Sequence, residues 1–374
     1  MVHPRHVYVH VPFCGRRCTY CDFSIAVRRV VPVDEYAAAL ERELAIRFPG
    51  DASWTADTLY LGGGTPSRLG ERGVPRVLEL LRQRITLAAD AEITLEANPD
   101  DVTAAAARAW HTAGVNRLSI GAQSFDDVIL SWMHRTHDAP ATGRAVERAR
   151  AAGIGNISID LIFALPGTVS RSWSTDLHRA LALEPTHMSL YGLTVEPQTP
   201  LGRAARRGEF VESPDERYEA EFIEAHETLA GAGFEHYEVS NFGLRGCHSR
   251  HNASYWSGAS YAGLGPSAHE FDGAGRRANV AAYTEWLERV SGGADPIGQR
   301  EELTPENRVA ERVYLGLRTA RGLEIEECEI DRVGRWVSAG WGTLDDANRL
   351  RLTPRGWLRL DALAADLTLI RSRY

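Results

Sequence analysis

His6–Phe23, HVYVHVPFCGRRCTYCDF, crowds three of the chain's five cysteines into eight residues directly behind an apolar run. That run, Val7–Val11, is β-branched and aromatic, as a buried strand is. Cys14, Cys18 and Cys21 follow in C-x-x-x-C-x-x-C spacing. A structural zinc site closes with four protein ligands, commonly two distant C-x-x-C pairs. No second pair exists here, because Cys247 and Cys328 stand alone. Iron–sulfur cubanes take about one thiolate per iron, so three thiolates leave one iron open to another ligand. Three reduced cysteines with no metal are the plainer alternative, but packing gives no reason to gather them after a strand.

Bulk properties narrow the classes. The chain has 374 residues, a formal charge of −8 and 44% hydrophobic residues, enough for a large core and more than one domain. An acidic balance argues against broad nucleic-acid binding, which needs a basic surface. Gly202–Arg207, GRAARR, reads as a solvated basic face. No apolar run is long enough to cross a bilayer or serve as a signal peptide, so the expectation is a cytoplasmic protein. In that reducing compartment clustered thiols point to metal or catalysis rather than disulfides.

Strand-like runs recur at Val7–Val11, Thr58–Leu61, Ile93–Glu96, Arg117–Ala122, Ile157–Phe163 and Met188–Leu193. Helical patterns lie between them, at Val33–Phe48, Pro140–Gly153 and Ser172–Leu183. Repeated βα units imply a parallel sheet, and about six are too few for a closed eight-stranded barrel. The expected fold is α/β, a partial (β/α)6 barrel. After Leu193 the pattern breaks into an irregular polar stretch, Glu196–Glu216. A helix (Arg217–Gly233), a strand-like His236–Phe242 and a glycine-rich region to Gly275 follow. Thr304 and Pro305 read as N-cap and first residue of a helix, which opens a small, mainly helical C-terminal domain.

Ligand groups of a βα barrel gather at the strands' carboxyl ends, and each strand here ends in chemistry. The second runs into GGGTPS, Gly62–Ser67, where glycines let backbone approach a ligand. Glu96 ends the third, Gln123 the fourth with Arg135 beyond it, and Asp160 sits among the apolar residues of the fifth. A carboxylate there is costly without partners. Singly, each of these residues is better explained as a cap, a turn or a satisfied core polar group.

Taken together, and in this order behind CGRRCTYC, they resemble the radical S-adenosylmethionine (SAM) superfamily, in its coproporphyrinogen-dehydrogenase-like (HemN) branch. The resemblance spans nearly the whole chain. It implies a [4Fe–4S] cluster on Cys14, Cys18 and Cys21, with SAM chelated by the fourth iron and cleaved by an electron to methionine and a 5′-deoxyadenosyl radical. It further implies SAM or cofactor contacts at Tyr8, Tyr20, Gly63, Gly64, Thr65, Glu96, Gln123, Arg135 and Asp160.

Two members of the branch differ in class. One is the oxygen-independent coproporphyrinogen III dehydrogenase, an oxidative decarboxylase; the other is the HemW-type haem chaperone, which carries haem. The dehydrogenase loop continues C-x-x-C-x-C and follows an N-terminal extension, whereas here Phe23 takes the last position and six residues precede Val7. Ser249–Trp256, SRHNASYW, carries H-N-x-x-Y-W, a motif associated with the chaperone branch. An imidazole can ligate haem iron and aromatic rings can cover a porphyrin face. The expectation is His251 as axial ligand, Tyr255 and Trp256 against the macrocycle and Asn252 fixing the loop. The ordinary reading of His251, one of thirteen histidines, is a satisfied core residue. Cys247 is a weaker candidate ligand, and Cys328 has no evident partner.

The favoured reading is therefore a haem chaperone rather than an enzyme. The expected division is a barrel domain over 1–235, a connecting region with the haem motif over 236–300 and a HemN-like domain over 301–374. The resemblance implies as partners a haem-requiring acceptor such as a respiratory protein at the inner membrane surface, an electron donor for the cluster, and a second copy of the chain in a homodimer. No nucleic acid is expected.

Overall fold

A computed structural model describes residues 3–49 and 53–372. Six parallel strands carry the barrel: β1 (His6–Val11), β2 (Trp54–Gly63), β3 (Ile85–Ala97), β4 (Arg117–Gln123), β5 (Asn156–Phe163) and β6 (His187–Gly192). They lie in sequence order with each parallel to the next. Five of the six expected strands fall inside them, and the sixth, Met188–Leu193, overruns its strand by Leu193. Helices α1 (Val33–Arg47), α2 (Gly70–Arg82), α3 (Ala104–Thr112), α4 (Ala139–Ala151) and α5 (Trp173–Leu181) occupy the crossovers.

The sheet is wider than the six βα units. Beyond β6 it is extended antiparallel by β7 (Glu235–Glu238) and β8 (Asn241–Gly243). On the other side β9 (Tyr261–Leu264) pairs parallel with β1, followed antiparallel by β10 (His269–Phe271), β11 (Gly275–Asn279) and β12 (Ile297–Glu302). Thus the glycine-rich region holds a seventh parallel strand. Its sequence, YAGL, is too short and small-sided to announce itself beside the β-branched runs. The stretch after Leu193 is also less irregular than expected. Pro200–Arg206 is a helix, capped by the Thr199 hydroxyl and started by Pro200.

Three elements complete the frame: α6 (Asp215–Gly231), α7 (Arg250–Trp256) and α8 (Tyr283–Ser291). The C-terminal part begins with α9 (Pro305–Arg318), whose Thr304 hydroxyl accepts from Asn307 N–H as the sequence suggests. Helices Ile330–Ser338 and Leu360–Arg371 follow, around an antiparallel sheet of Leu323–Glu324, Arg349–Leu352 and Gly342–Leu344. It docks on the barrel side through backbone bonds between Ala320 and Tyr237 and between Val239 and Arg318. No helix among the described residues is long and apolar enough to cross a membrane.

One carboxylate ties the barrel to its extension. Glu43 of α1 is fully buried. Its Oε1 accepts from Asn279 Nδ2 at 2.6 Å and Arg47 at 3.1 Å, and its Oε2 from Gly265 N–H at 2.8 Å and Trp286 Nε1 at 3.0 Å. Four donors offset the desolvation of a buried charge. Removing the acceptor leaves Gly265 N–H and the Trp286 indole N–H without it and weakens the hold on Asn279 and Arg47, so Glu43→Ala is expected to lose about 3–5 kcal/mol, read as a lower urea midpoint. Glu43→Gln, which keeps an oxygen acceptor, should lose less.

Candidate functional site

The cysteine loop is pinned at several points. Phe13–Cys14 pairs in parallel with Ala26–Val27, and Arg28 N–H donates to Cys14 O at 2.9 Å. Thr19 N–H donates to Met133 O at 3.2 Å, while Thr19 O accepts from Leu201 N–H at 2.8 Å. The short helix at Pro200–Arg206 is therefore a prop for this loop. Inside it, Cys14, Cys18 and Cys21 face one cavity of about 650 Å³, and all five of the chain's cysteines are unpaired. Burial raises the Cys14 thiol and pushes the Cys21 thiol up to about 11. Without a cation these thiols stay protonated.

The glycine loop forms the facing wall. Gly63 has φ +113° and its N–H donates to Glu96 Oε2 at 3.0 Å. A Cβ at Gly64 would lie 2.6 Å from the Pro12 carbonyl oxygen and 3.1 Å from Cys14 Sγ, so only glycine allows this approach. Thr65 Oγ1 lies 3.3 Å from Cys14 Sγ. Tyr20 lines the same cavity beside Cys18 and Arg135.

Glu96, Gln123, Arg135 and Asp160 join the same cavity. Glu96 also accepts from Tyr60 OH at 2.8 Å, but burial outweighs both donors and pushes its carboxyl up to about 7. Arg135 donates to Asn98 Oδ1 at 2.6 Å and Gly121 O at 2.7 Å, with its other terminal nitrogen 3.7 Å from Cys18 Sγ. Asp160 is raised by burial and partly offset by hydroxyls, taking 3.0 Å bonds from Ser119 and Ser158. Gln123 holds φ +66° and His134, just before Arg135, φ +59°. Left-handed backbone at non-glycine residues is strain that clusters at sites of function.

Tyr8 departs from the expected group. It lines a second, larger cavity of about 1080 Å³, with its hydroxyl 3.1 Å from His10 Nδ1. It stays close to the first site all the same, because a Cβ at Gly62 would fall 2.9 Å from the Tyr8 ring and 3.1 Å from Glu96 Oε1. Asp22 and Phe23 line both cavities, and Phe23 is 61% exposed.

The H-N-x-x-Y-W segment is helical, as α7, and Tyr255 and Trp256 line the second cavity. His251 does not. It is 1% exposed, with Nδ1 2.7 Å from Thr58 Oγ1 and Nε2 2.8 Å from Tyr255 OH. Both ring nitrogens are engaged, so this imidazole offers no lone pair to an iron as it stands. The ordinary reading, a satisfied core histidine, describes its geometry. Asn252 contributes its backbone N–H, which donates to Ser249 Oγ, and Glu92 accepts from the N–H groups of Arg250 and His251. Cys247 is half-buried and Cys328 exposed, and neither lines either cavity.

Several site residues escape motif reading: His10, Tyr60, Asn98, Arg117 and Ser119. Arg117 is 1% exposed, its Nε and one terminal nitrogen have no hydrogen-bond partner among the described residues, and its charge lowers the carboxyls of Glu96 and Asp160. Strand alternation could have found it, because Arg117 and Ser119 share one face of β4 between Leu118 and Ile120.

The donors fit a cluster better than a single ion. No group of three or more His, Cys, Asp or Glu side chains among the described residues converges on one metal position. A cubane sets each thiolate on its own iron, and three thiols spread around one cavity match that demand. Glu96, Asp160 and the Gly63–Thr65 backbone offer acceptors to a cationic, amine-bearing ligand beside it.

The comparisons agree with this architecture. Residues 8–177 match the family model of the radical SAM superfamily. The chain is 36% identical over 321 residues to the heme chaperone HemW of Bacillus subtilis, covering 85% of this chain and 84% of that protein. It is 35% identical over 371 residues to the heme chaperone HemW of Mycobacterium tuberculosis, covering 97% and 95%. Among solved structures, coproporphyrinogen III oxidase (HemN) from Escherichia coli, a radical SAM enzyme, superposes with a TM-score of 0.82 at 23% identity, over 97% of this chain and 89% of that one. That likeness concerns the fold.

Glu96 makes a pH test possible. A carboxyl raised to about 7 from an ordinary 4.5 stabilises the fold fully below 4.5, and this contribution is lost as pH rises through 7. The loss is about 3 kcal/mol. Urea unfolding of the iron-free chain at about pH 5 and about pH 8 should show this fall, and Glu96→Gln should flatten it.

Proposed function

We propose a haem-carrying function for this chain, which belongs to the HemW family of radical SAM proteins. The observation that carries the reading is one cavity walled by Cys14, Cys18, Cys21, the Gly63–Thr65 loop, Glu96, Arg135 and Asp160, beside a larger one walled by Tyr255 and Trp256. Cys14, Cys18 and Cys21 would hold a [4Fe–4S] cluster whose fourth iron accepts SAM and supplies one-electron chemistry when bound.

This chain's own groups do the positioning. Gly63 and Gly64 bring backbone to van der Waals range of the ligand. Glu96 and Asp160 give acceptors inside a low-dielectric wall, where a bond to an ammonium or ribose hydroxyl gains strength. Arg135 holds Asn98 and lies against Cys18. Tyr20 covers the same thiol, and Gln123 is held toward the cavity by its left-handed backbone.

Haem is the cargo, and its receiver is a haem-requiring acceptor, with a respiratory protein at the inner membrane surface as the intended class. An electron donor and a second copy of the chain complete the partner set, and the working compartment is the cytoplasm. The boundaries near residues 235 and 300 mark the units involved.

Phe23 speaks against the decarboxylating reading, because a fourth cysteine would stand there in the dehydrogenase pattern. Anaerobic reconstitution should give about four irons per chain, and Cys18→Ala should lose the cluster. A Cys18→Ala chain with a full cubane would overturn the ligand set. Coproporphyrinogen III supplied with SAM and reductant should stay unchanged. Its conversion to protoporphyrinogen would replace the carrier reading with the enzyme.

A further inference from the structure

The larger cavity lies between the sheet's β9–β11 edge and the C-terminal part, and three histidines stand in or near it. Two are committed. His10 Nδ1 meets Tyr8 OH at 3.1 Å and its Nε2 meets Ser24 O at 3.1 Å, and His251 is held by Thr58 and Tyr255. His269 differs. It lines the cavity, is exposed there, and neither of its ring nitrogens has a partner among the described residues.

Its direction follows from strand alternation. On β10, His269 and Phe271 share the cavity face, whereas Glu270 points the other way and pairs with Arg47. The opposing wall is charged. Helix α9 turns Arg308, Arg312 and Leu315 to the cavity at i, i+4 and i+7 spacing. In all, five arginines face three carboxylates there, within a chain of net charge −8. Arg276 is engaged by Glu311. Arg312 and Arg321 have no carboxylate partner among the described residues. Meanwhile the Trp256 indole N–H is buried without an acceptor, with Arg318 over its ring at 4.2 Å.

An unclaimed imidazole, aromatic walls and two unpaired guanidinium groups suit a flat apolar macrocycle with a central metal and two carboxylates. We propose that His269 is the iron ligand of haem in this cavity, with Tyr255, Trp256 and Phe271 against the macrocycle and Arg312 and Arg321 on its propionates. The inference rests on the haem-carrying reading and moves the ligand from His251 to His269. Partial burial near Arg276 lowers the His269 imidazole from its ordinary value, so at neutral pH it offers a lone pair. His251 then acts by holding Tyr255 in the wall.

Hemin titration of the full chain tests both levels. No Soret change in the wild type would sink the carrier reading itself. Given binding, His269→Ala is expected to shift the Soret band and weaken hemin at least about tenfold, and His269→Gly with added imidazole should regain the wild-type spectrum. His251→Ala should keep the wild-type band position. A wild-type spectrum in His269→Ala, or no rescue of His269→Gly, would overturn the ligand assignment; circular dichroism and thermal melts check that each variant is folded. The double variant Arg312→Ala/Arg321→Ala should bind hemin about tenfold more weakly while leaving hemin dimethyl ester unchanged. Equal loss for both ligands would overturn the propionate contacts.

Discussion

The parallel strands bury a polar face, and the remainder of the molecule is arranged to satisfy it. Parallel strands covered on both sides usually read as unbroken apolar runs. Here alternate positions differ in kind. Tyr8 and His10 alternate with valines, Thr58 and Tyr60 with leucines, Thr94 and Glu96 with Ile93 and Leu95, Ser158 and Asp160 with isoleucines, and His187 and Ser189 with Met188 and Leu190. The apolar set joins the core beneath the helices. The polar set must find partners within the half-barrel, because buried groups without them are costly. It does so through short links such as Ser158 to His187 at 2.8 Å, and His187 to Tyr237 OH at 2.8 Å. Where the links end, Glu96 and Asp160 are left facing the cavity.

That same alternation explains what the sequence made legible. Strands, helices and the cysteine loop have local signals: β-branched runs, caps and spacing. Most of the expected site residues lie at or near strand ends, and all but Tyr8 of those expected around SAM gather at one cavity. Tyr8 is placed otherwise because it lies midway along β1, behind Gly62, where the side chain serves the larger cavity. His251 was legible as a motif but not as a geometry. Nothing in H-N-x-x-Y-W says that Thr58, from a distant strand, and Tyr255, one turn on, will occupy both ring nitrogens. His269 had no motif at all, and its exposure depends on β10, a three-residue strand in a glycine-rich region.

The two cavities are neighbours through the cluster loop. Asp22 and Phe23 line both, and the backbone between Cys21 and Ser24 is their partition. The loop is braced on the cluster side by Thr19 and on the other by Ser24, whose hydroxyl donates to Ala281 O at 2.6 Å and whose carbonyl meets His10 Nε2. Cys21 and the Ser24 carbonyl that meets His10 thus lie within one four-residue segment. The Cys21–Ser24 segment is a stretch of chain that touches both cavities.

Phe23 gains a role from this position. A cysteine at that place would add a thiol to the partition, within reach of either cavity, and a metal or an oxidant could claim it. Phenylalanine adds only apolar surface, 61% exposed where the cavities meet. Phenylalanine in place of the dehydrogenase pattern's cysteine thus has two consequences. It keeps a reactive thiol out of the wall shared by both cavities, and it leaves an apolar surface where they meet.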